Sequence, residues 1–367
     1  MFINQSKINK KSYFMKLALM QARKNLGNTN ENPSVGCVLV KNNHVISAGS
    51  TSIKGRPHAE YNAIKYSNVN PIKSTLYVTL EPCSHFGKTP PCTNLIINNK
   101  IKKVFYSIPD PDLRSKNKCR KALKKKSITA NEGLLKKDVT EFYKSYIMAK
   151  TNKFPYLTSK LAVSKDLYSI NKKNKWITNQ FSRGRVHLMR SNYDCILTSS
   201  KTIIKDNSKL TCRIEGLYKY SPSRIILDSR LKIPLHSNVI KDSKNLRTII
   251  FYNFLNAKKL KLLKKLNVET YKIPLNKDKN LDLQRVLIKA KKLGFSRIFL
   301  ETGIKLTSSF LKEELVDDLK LFVSSKKLGR NGYGSIKSFF NSFFTKKKKS
   351  YEKINLLGDK LINFNLK

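Results

Sequence analysis

Short apolar runs alternate with stretches of helical spacing along the first 150 residues of the chain. The apolar runs, each bounded by turn-forming residues, predict three strands: Val35–Val40, Leu76–Leu80 and Lys103–Ile108. Apolar positions three and four residues apart predict five helices: Tyr13–Lys24, His58–Tyr66, Thr93–Asn98, Arg114–Lys125 and Lys136–Lys150. This alternation is typical of an α/β domain in which helices cover a central sheet.

A second α/β pattern begins after Phe154-Pro155, which we interpret as the end of a linker. Its predicted strands are Leu157–Ser164, Cys195–Ser199, Ser223–Asp228, Arg247–Tyr252, Arg297–Glu301 and Leu319–Ser324. Its predicted helices are Gln180–Ser191, Ala257–Leu266, Leu283–Leu293 and Thr307–Glu313. The chain of 367 residues is therefore predicted to form two domains, 1–150 and 151–367, each long enough to bury its own core.

The overall composition is that of an ordinary globular protein. Hydrophobic residues make up 40% of the chain, and no apolar run has transmembrane length. The polar, basic segment Met1–Lys11 does not resemble a secretory signal. Six cysteines in so long a chain indicate a reducing compartment and not a disulfide framework, so we expect a cytoplasmic protein.

The charge is the unusual property. A net charge of +50 at pH 7 would by itself suggest a nucleic-acid or anionic-membrane partner. Lysines are spread over nearly every segment, however, with short runs at Lys124–Lys126 and Lys346–Lys349, and other residues with A/T-rich codons are also abundant. The basic stretch Ala257–Leu266 is expected to be an outer helix whose leucines pack inward. Compositional drift explains these features together, and we expect no specific nucleic acid and no membrane as partners.

The residues that indicate chemistry lie between positions 58 and 92. His58-Ala59-Glu60 is followed by Pro82-Cys83 and, after eight further residues, by Cys92. One His and two Cys are three zinc ligands that leave the fourth tetrahedral position open for water, whose pKa the metal lowers to about 7. Glu60 is placed to carry a proton from that water to departing ammonia. The pattern predicts a hydrolytic zinc deaminase.

Two other interpretations of this cluster stay open. His85 lies between the two cysteines and would complete a four-ligand structural zinc site, although Glu60 would then have no purpose. In the other, the cysteines are buried without any metal. The spacing is informative as well: nucleic-acid deaminases usually carry Pro-Cys-x-x-Cys, whereas the longer gap here brings Lys88, a candidate phosphate ligand, beside the metal site.

The second half carries weaker signals. No Gly-x-Gly-x-x-Gly follows a strand, so nothing supports a Rossmann-type dinucleotide fold. The turn Glu301-Thr302-Gly303 precedes a predicted helix whose N–H groups are able to hold a phosphate, although an ordinary turn explains it more simply. Trp176, the sole tryptophan, is expected to pack in the core or a loop or, if exposed, to stack on a planar cofactor.

These motifs resemble those of the bifunctional riboflavin-biosynthesis deaminase/reductase family over nearly the whole chain. The first half carries Asn32-Pro33-Ser34-Val35-Gly36-Cys37, His58-Ala59-Glu60 and the string from Thr79 to Cys92, of which Cys-Ser-His-Phe-Gly-Lys-Thr-Pro-Pro-Cys is close to diagnostic. The second half carries, in the family's order, Phe154-Pro155-Tyr156, Trp176-Ile177-Thr178, Asp206-Asn207, Leu210-Thr211-Cys212-Arg213 and Val316-Asp317.

The resemblance implies a cytidine-deaminase-like three-layer domain followed by a dihydrofolate-reductase-like domain. The first would hydrolytically deaminate 2,5-diamino-6-ribosylamino-4(3H)-pyrimidinone 5′-phosphate with the help of Zn²⁺. The second would use NADPH to reduce the ribosyl group to ribityl. The protein is expected to act on this small phosphoribosyl-pyrimidine as a homo-oligomer, a dimer or a tetramer.

The site residues implied by the resemblance follow from the matching motifs. In the deaminase half they are the zinc ligands His58, Cys83 and Cys92, the proton carrier Glu60, and Asn32 and Lys88 near the pyrimidine and the phosphate. The cofactor positions of the reductase half are Ala162, Trp176, Thr202, Asp206 and the turn from Gly303 onward. Its substrate positions are Lys160, Asn174, Arg190, Leu210, Arg213 and Glu301.

Several positions depart from the family's pattern. Thr51 stands where a His is common, Leu167 replaces a turn glycine, Ser208 replaces a proline, and only Gly303 remains of a glycine-rich turn. The alternative hypothesis is therefore an active deaminase joined to an impaired or repurposed reductase domain. A basic RNA-editing deaminase is a further alternative, which the long gap between the cysteines argues against.

Overall fold

The computed structural model describes residues 10–174, 176–337 and 347–367. The chain divides into two compact units, Met1–Asn152 and Lys153–Lys367, where the sequence predicted a limit at residue 150. No helix in the described ranges is both long enough and apolar enough to cross a membrane.

The first unit is built on a five-stranded sheet. Its strands are β1 (Gly36–Lys41), β2 (His44–Ser50), β3 (Thr75–Leu80), β4 (Lys103–Ile108) and β5 (Thr129–Glu132). Its helices are α1 (Lys10–Arg23), α2 (Ala59–Lys65), α3 (Cys92–Asn98), α4 (Cys119–Lys124) and α5 (Lys136–Thr151). The strand order is β2-β1-β3-β4-β5, with β1 antiparallel to both neighbours and β3, β4 and β5 parallel.

Two glycines let helices lie close against this sheet. A Cβ atom on Gly36 would lie 1.9 Å from the carbonyl oxygen of Ala18 in α1. A Cβ atom on Gly49 would lie 2.4 Å from the carbonyl oxygen of Ala59 in α2. Because only glycine fits at these two positions, α1 lies close against β1 and α2 lies close against β2. The second contact fixes the start of α2, which His58 precedes.

One helix of this unit is shorter than predicted. The sequence predicted a helix over 114–125, but α4 begins only at Cys119. The buried carboxylate of Glu81 accepts three backbone N–H groups at 3.0–3.1 Å, those of Asp110, Asn117 and Cys119. These bonds favour a turn ahead of Cys119, and Asn117 takes a left-handed φ of 61° there. Strands β2 and β5 were not predicted, since β2 is largely exposed and β5 is short.

The second unit contains a nine-stranded sheet and a separate two-stranded ribbon. Its strands are β6 (Tyr156–Val163), β7 (Tyr168–Asn171), β8 (Cys195–Ser199), β9 (Ser223–Leu227), β10 (Thr248–Tyr252), β11 (Glu269–Lys272), β12 (Arg297–Glu301), β13 (Asp318–Val323), β14 (Gly332–Ser335), β15 (Lys348–Tyr351) and β16 (Lys360–Asn365). Its helices are α6 (Gln180–Arg190), α7 (Ser200–Asp206), α8 (Asn238–Lys241), α9 (Ala257–Lys265), α10 (Leu283–Lys292) and α11 (Ile304–Lys312).

The large sheet has the order β11-β10-β9-β8-β12-β6-β13-β16-β15, and β14 pairs with β7 in the ribbon. The strands from β11 to β13 are parallel, and β16 and β15 are antiparallel to their neighbours. The predicted inward face of α9 is confirmed, because Leu263 is fully buried and Leu260 and Leu266 pack against the same cluster. The short elements β7, β11, β14, β15, β16, α7 and α8 were not predicted.

Candidate active sites

Three side chains in the first unit form a cluster with metal-binding geometry. His58 caps the start of α2, Cys92 is the first residue of α3, and Cys83 lies in the loop after β3. Their ligand atoms all lie within 4.8 Å of one another. The His58 Nδ1 atom is 3.3 Å from Cys92 Sγ and 3.7 Å from Cys83 Sγ. Tetrahedral zinc with ordinary bond lengths would hold such N and S atoms about 3.5 Å apart, so the cluster fits zinc.

The charges around the cluster also suit a cation. A hydrogen bond from Cys92, together with the nearby His58, lowers the pKa of the Cys83 thiol to about 4, against the opposing effect of burial. The thiolate is the form that binds zinc. Glu60, in the first turn of α2, is only 4% exposed, and burial raises the pKa of its carboxyl.

His85 does not belong to this cluster. Its Nδ1 atom lies 2.8 Å from Ser115 Oγ. Within the described part of the chain, the group with metal-binding geometry consists of His58, Cys83 and Cys92. The structure therefore does not support the four-ligand structural zinc site.

Arg56, which the sequence reasoning missed, connects the two segments of the site. Its Nη1 atom is 3.4 Å from His58 Nε2, and it donates a hydrogen bond to Thr89 Oγ1 in the segment between the cysteines. Lys88, the neighbour of Thr89, is exposed and makes no hydrogen bond to the described residues. No motif pointed to Arg56, because its only signal is its place two residues before His58.

The side chains of Asn32 and Thr51 each make a hydrogen bond to the backbone within the first unit. The Asn32 amide donates to the carbonyl oxygen of Gly55 at 2.9 Å. Thr51, which stands in place of the family's His, is 1% exposed, and its hydroxyl accepts the N–H of Val35 at 2.9 Å. The Thr51 hydroxyl is thus engaged inside the fold.

In the second unit, a group of charged side chains lies around the carboxyl end of β12, the middle strand of the large sheet. Parallel strands β8, β12 and β6 are neighbours, and Glu301 on β12 is in register with Lys160 on β6. Arg190, at the end of α6, donates two hydrogen bonds to the Glu301 carboxylate, at 2.6 and 2.9 Å. Although burial opposes ionisation, Arg190 and Lys160 lower the pKa of Glu301 to about 2. Burial lowers the pKa of Lys160.

An irregular segment brings Leu210 and Arg213 to the same helix. Leu210 has a φ of 56° and a side chain that is 1% exposed, so only its backbone is able to face a ligand. The Arg190 Nη1 atom donates to the Thr211 carbonyl oxygen at 2.8 Å. The N–H of Arg213 donates to Nδ1 of His187 at 3.1 Å. Sequence reasoning missed His187, although it lies three residues before Arg190 on one helix.

A second group of polar side chains lies at the ends of β8 and β12. The Thr202 Oγ1 atom is 3.1 Å from Ser199 Oγ and 3.4 Å from Thr302 Oγ1. Gly303 caps α11 without a side-chain hydrogen bond, and a Cβ atom there would meet no atom within 4 Å. Within the described residues, the N–H groups of the first three residues of α11, Ile304 to Leu306, make no hydrogen bond, and the N–H of Thr307 donates to the oxygen of Gly303. An open helix start beside hydroxyl groups fits a phosphate of a nucleotide cofactor.

The remaining predicted residues take other places in this unit. Asp206 ends α7, four positions after Thr202, and Ala162 lies half-buried on β6. Asn174 and Trp176 are exposed and lie on the stretch between β7 and α6. The Arg183 guanidinium lies over the Trp176 ring, 4.8 Å from its centroid.

The departures from the family's pattern have unequal effects on the backbone. Leu167 takes a φ of 65°, a conformation that favours glycine. Ile304 is already the first residue of α11, and its side chain packs against the core. The loss of glycines after Gly303 therefore does not strain this turn.

Comparisons with known proteins match both halves of the chain. Residues 8–108 match the family model "Cytidine and deoxycytidylate deaminase zinc-binding region", and residues 155–352 match the model "RibD C-terminal domain". The riboflavin biosynthesis protein RibD of Aquifex aeolicus is 35% identical over 356 residues, which cover 96% of this chain and 97% of the relative.

Two solved structures are similar over nearly the full length. A diaminohydroxyphosphoribosylaminopyrimidine deaminase/5-amino-6-(5-phosphoribosylamino)uracil reductase from Thermotoga maritima is 31% identical, with a TM-score of 0.83, covering 98% of this chain and 99% of the other. Acinetobacter baumannii RibD is 26% identical, with a TM-score of 0.82, covering 99% and 100%. The chain belongs to the RibD family and is a bifunctional deaminase and reductase of riboflavin biosynthesis.

Proposed function

We propose that the first unit deaminates the diaminopyrimidinone ribosyl phosphate and that the second unit reduces the deaminated product, 5-amino-6-(5-phosphoribosylamino)uracil. The observation that carries the first half is the convergence of three zinc-type ligand atoms within 4.8 Å, next to the buried Glu60. The proposed reductase activity of the second unit is supported by the positively charged side chains around Glu301. Zn²⁺ and NADPH are the cofactors of these two activities.

In the deaminase site, His58, Cys83 and Cys92 would hold the zinc ion, which lowers the pKa of a bound water towards neutrality. Glu60 takes a proton at its carboxylate and delivers it to the amino group that leaves as ammonia. Its burial keeps bulk water from competing for that proton. Asn32 and Lys88 are proposed to contact the pyrimidine and the phosphate from the rim.

In the reductase site, Lys160, Arg190 and Arg213 place three positive charges around the carboxylate of Glu301. The excess positive charge suits a sugar phosphate, because a guanidinium group is able to donate two hydrogen bonds to two oxygens of one phosphate. Asn174 and the backbone of Leu210 are proposed to contact the same substrate. These residues bind and orient it, which is the main requirement of a hydride transfer.

The cofactor is proposed to lie along the other polar group. NADPH supplies the hydride when it is bound. Thr202, Asp206 and the start of α11 at Gly303 would hold its polar groups, and Ala162 and Trp176 would line its rings. The match between an open helix start and the neighbouring hydroxyl groups supports this placement.

Separate measurement of the two half-reactions tests the proposal. Purified zinc-loaded protein should release ammonia from the diaminopyrimidinone substrate without NADPH. With the deaminated intermediate, it should oxidise NADPH. Ammonia release without NADPH oxidation would favour the alternative of an impaired reductase domain. The absence of both reactions would overturn the proposed substrates.

The localisation, oligomeric state and partners of the enzyme stay predictions. We propose a cytoplasmic homo-oligomer, a dimer or tetramer, with no specific nucleic-acid and no membrane partner. The six cysteines are all free thiols, which supports a reducing compartment.

A further inference from the structure

The segment Lys209–Arg213 belongs to no helix or strand, yet side chains from elsewhere hold its backbone at four points. Arg224, which is 0% exposed, holds its first residue, and the others are held by α6 and by Ser221. The four bonds are Arg224 Nη1 to the Lys209 oxygen at 3.2 Å, Arg190 Nη1 to the Thr211 oxygen at 2.8 Å, Cys212 N–H to Ser221 Oγ at 3.0 Å, and Arg213 N–H to His187 Nδ1 at 3.1 Å. An irregular segment fixed in this way is prepared to present its side chains in one arrangement.

His187 is the side chain that fixes the end carrying Arg213. Its Nδ1 atom also lies 3.0 Å from the Thr211 oxygen and 3.3 Å from Arg190 Nη1. Because the backbone N–H of Arg213 points at Nδ1, we assign Nδ1 as the acceptor and place the proton of the neutral ring on Nε2. Burial, and then the charges of Arg190 and Arg213, lower the pKa of His187 to about 4, which keeps the ring neutral at physiological pH.

The position of His187 links the two arginines of the proposed substrate site. His187 and Arg190 lie one turn apart on the same face of α6. Arg190 is fixed by Glu301, whereas Arg213 is exposed and no described residue binds its guanidinium. Arg190 binds the carbonyl oxygen of Thr211 directly, and the hydrogen bond to His187 is the one that fixes the backbone of Arg213 itself.

We propose that His187 is a positioning residue of the reductase, which aims the exposed guanidinium of Arg213 at the phosphate of the substrate. The proposal rests on the proposed function of this site. It requires a neutral ring with a free Nδ1 acceptor and does not require contact between His187 and the reacting atoms. Loss of the acceptor would leave the Arg213 N–H unsatisfied and would release the end of the segment.

Two amide variants of the full-length, zinc-loaded protein test the role of the acceptor. His187→Asn places an amide oxygen where Nδ1 lies, and His187→Gln carries it one bond further. We expect His187→Gln to raise the KM for the deaminated intermediate about tenfold. The kcat and the KM for NADPH should stay the same. His187→Asn should restore most of the substrate affinity. Inorganic phosphate should inhibit less strongly in His187→Gln, in parallel with the KM.

Arg213→Gln is the reference variant, because it removes the guanidinium and leaves the backbone bond intact. A raised KM in Arg213→Gln beside an unchanged KM in His187→Gln would overturn the role of His187 alone. An unchanged KM in Arg213→Gln would overturn the proposed substrate site and the role of His187 with it. An equal rise in the KM for NADPH would mean that His187 only maintains the fold. If His187→Gln does not fold, His187→Leu provides a second variant without the acceptor.

Discussion

The two sites of this chain are constructed in opposite ways. The metal ligands and Glu60 of the deaminase site come from positions 58–92, and the starts of two helices bring them together. The reductase site takes its residues from positions 160–303, which lie on strands, helices and an irregular segment. Buried charges and side-chain bonds to the backbone hold that second group in place. A local site is fixed by its motif, whereas a dispersed site depends on residues that never touch the substrate.

Removal of one metal ligand should have the largest effect. Cys92→Ala deletes a ligand at the first residue of α3, so we expect the loss of both bound zinc and ammonia release. NADPH oxidation with the deaminated intermediate should continue. Zinc content by atomic spectroscopy and the two half-reactions are the measurements.

His85→Ala is the matched control for that variant. Because His85 pairs with Ser115 and lies outside the metal cluster, its loss should leave the zinc content unchanged. Loss of zinc in His85→Ala would restore the four-ligand interpretation.

Replacement of a buried arginine in the second unit should lower the unfolding free energy more than replacement of a partly exposed one. Arg224→Met leaves Asp242 and the Lys209 carbonyl without their buried donor, and we expect a loss of about 3 kcal/mol in unfolding free energy. Arg247 is also ion-paired, with Glu269, but its side chain is 39% exposed. Arg247→Met should therefore cost less than about 1 kcal/mol.

Urea unfolding followed by the fluorescence of Trp176, the only tryptophan, reports on the second unit. Equal losses in the two arginine variants would contradict the importance of burial.

The pH dependence of stability should distinguish His187 from an ordinary surface histidine. Its pKa is lowered from 6.5 to about 4 in the folded protein, so between these values the unfolded chain binds more protons. The contribution of His187 is therefore fully present above pH 6.5 and is lost as the pH falls towards 4. The difference in unfolding free energy between the wild type and His187→Asn should be constant above neutrality and should move against the wild type on acidification. A difference independent of pH would contradict the neutral state of the half-buried ring.

The smallest effect is expected at the turn where a glycine is missing. Leu167→Gly relieves a left-handed backbone, worth about 1 kcal/mol, but removes a side chain that packs against the core. The two effects oppose each other, so the unfolding free energy should change by less than about 1 kcal/mol. A much larger loss would show that Leu167 is chiefly a core residue.

The sequence predicted which residues come together in the first site, because they lie in one short string. His58, Glu60, Cys83 and Cys92 have types and spacing that few other functions require. The residues around it were not predictable in the same way. Arg56 belongs to no motif, and the start of α4 depends on the Glu81 carboxylate, which accepts hydrogen bonds from a segment about 30 residues further on.

The second site was predicted only through family resemblance. Charged residues are common in a chain with this composition, so Lys160 or Arg213 has no distinctive local signal. His187 and Arg224 act on the backbone of a segment that has no regular structure. Their roles appear only when the fold brings α6 and β9 beside that segment.

The central claim is that one chain carries two chemistries with separate catalytic residues, and Glu60→Gln tests it most directly. Zinc content, ammonia release and NADPH oxidation with the deaminated intermediate are measured on one preparation of this variant. We expect full zinc content, no ammonia release and unchanged NADPH oxidation in Glu60→Gln, because Glu60 would carry a proton without binding the metal. Ammonia release near the wild-type rate would contradict the role of Glu60, and a parallel loss of NADPH oxidation would contradict the separation of the two sites.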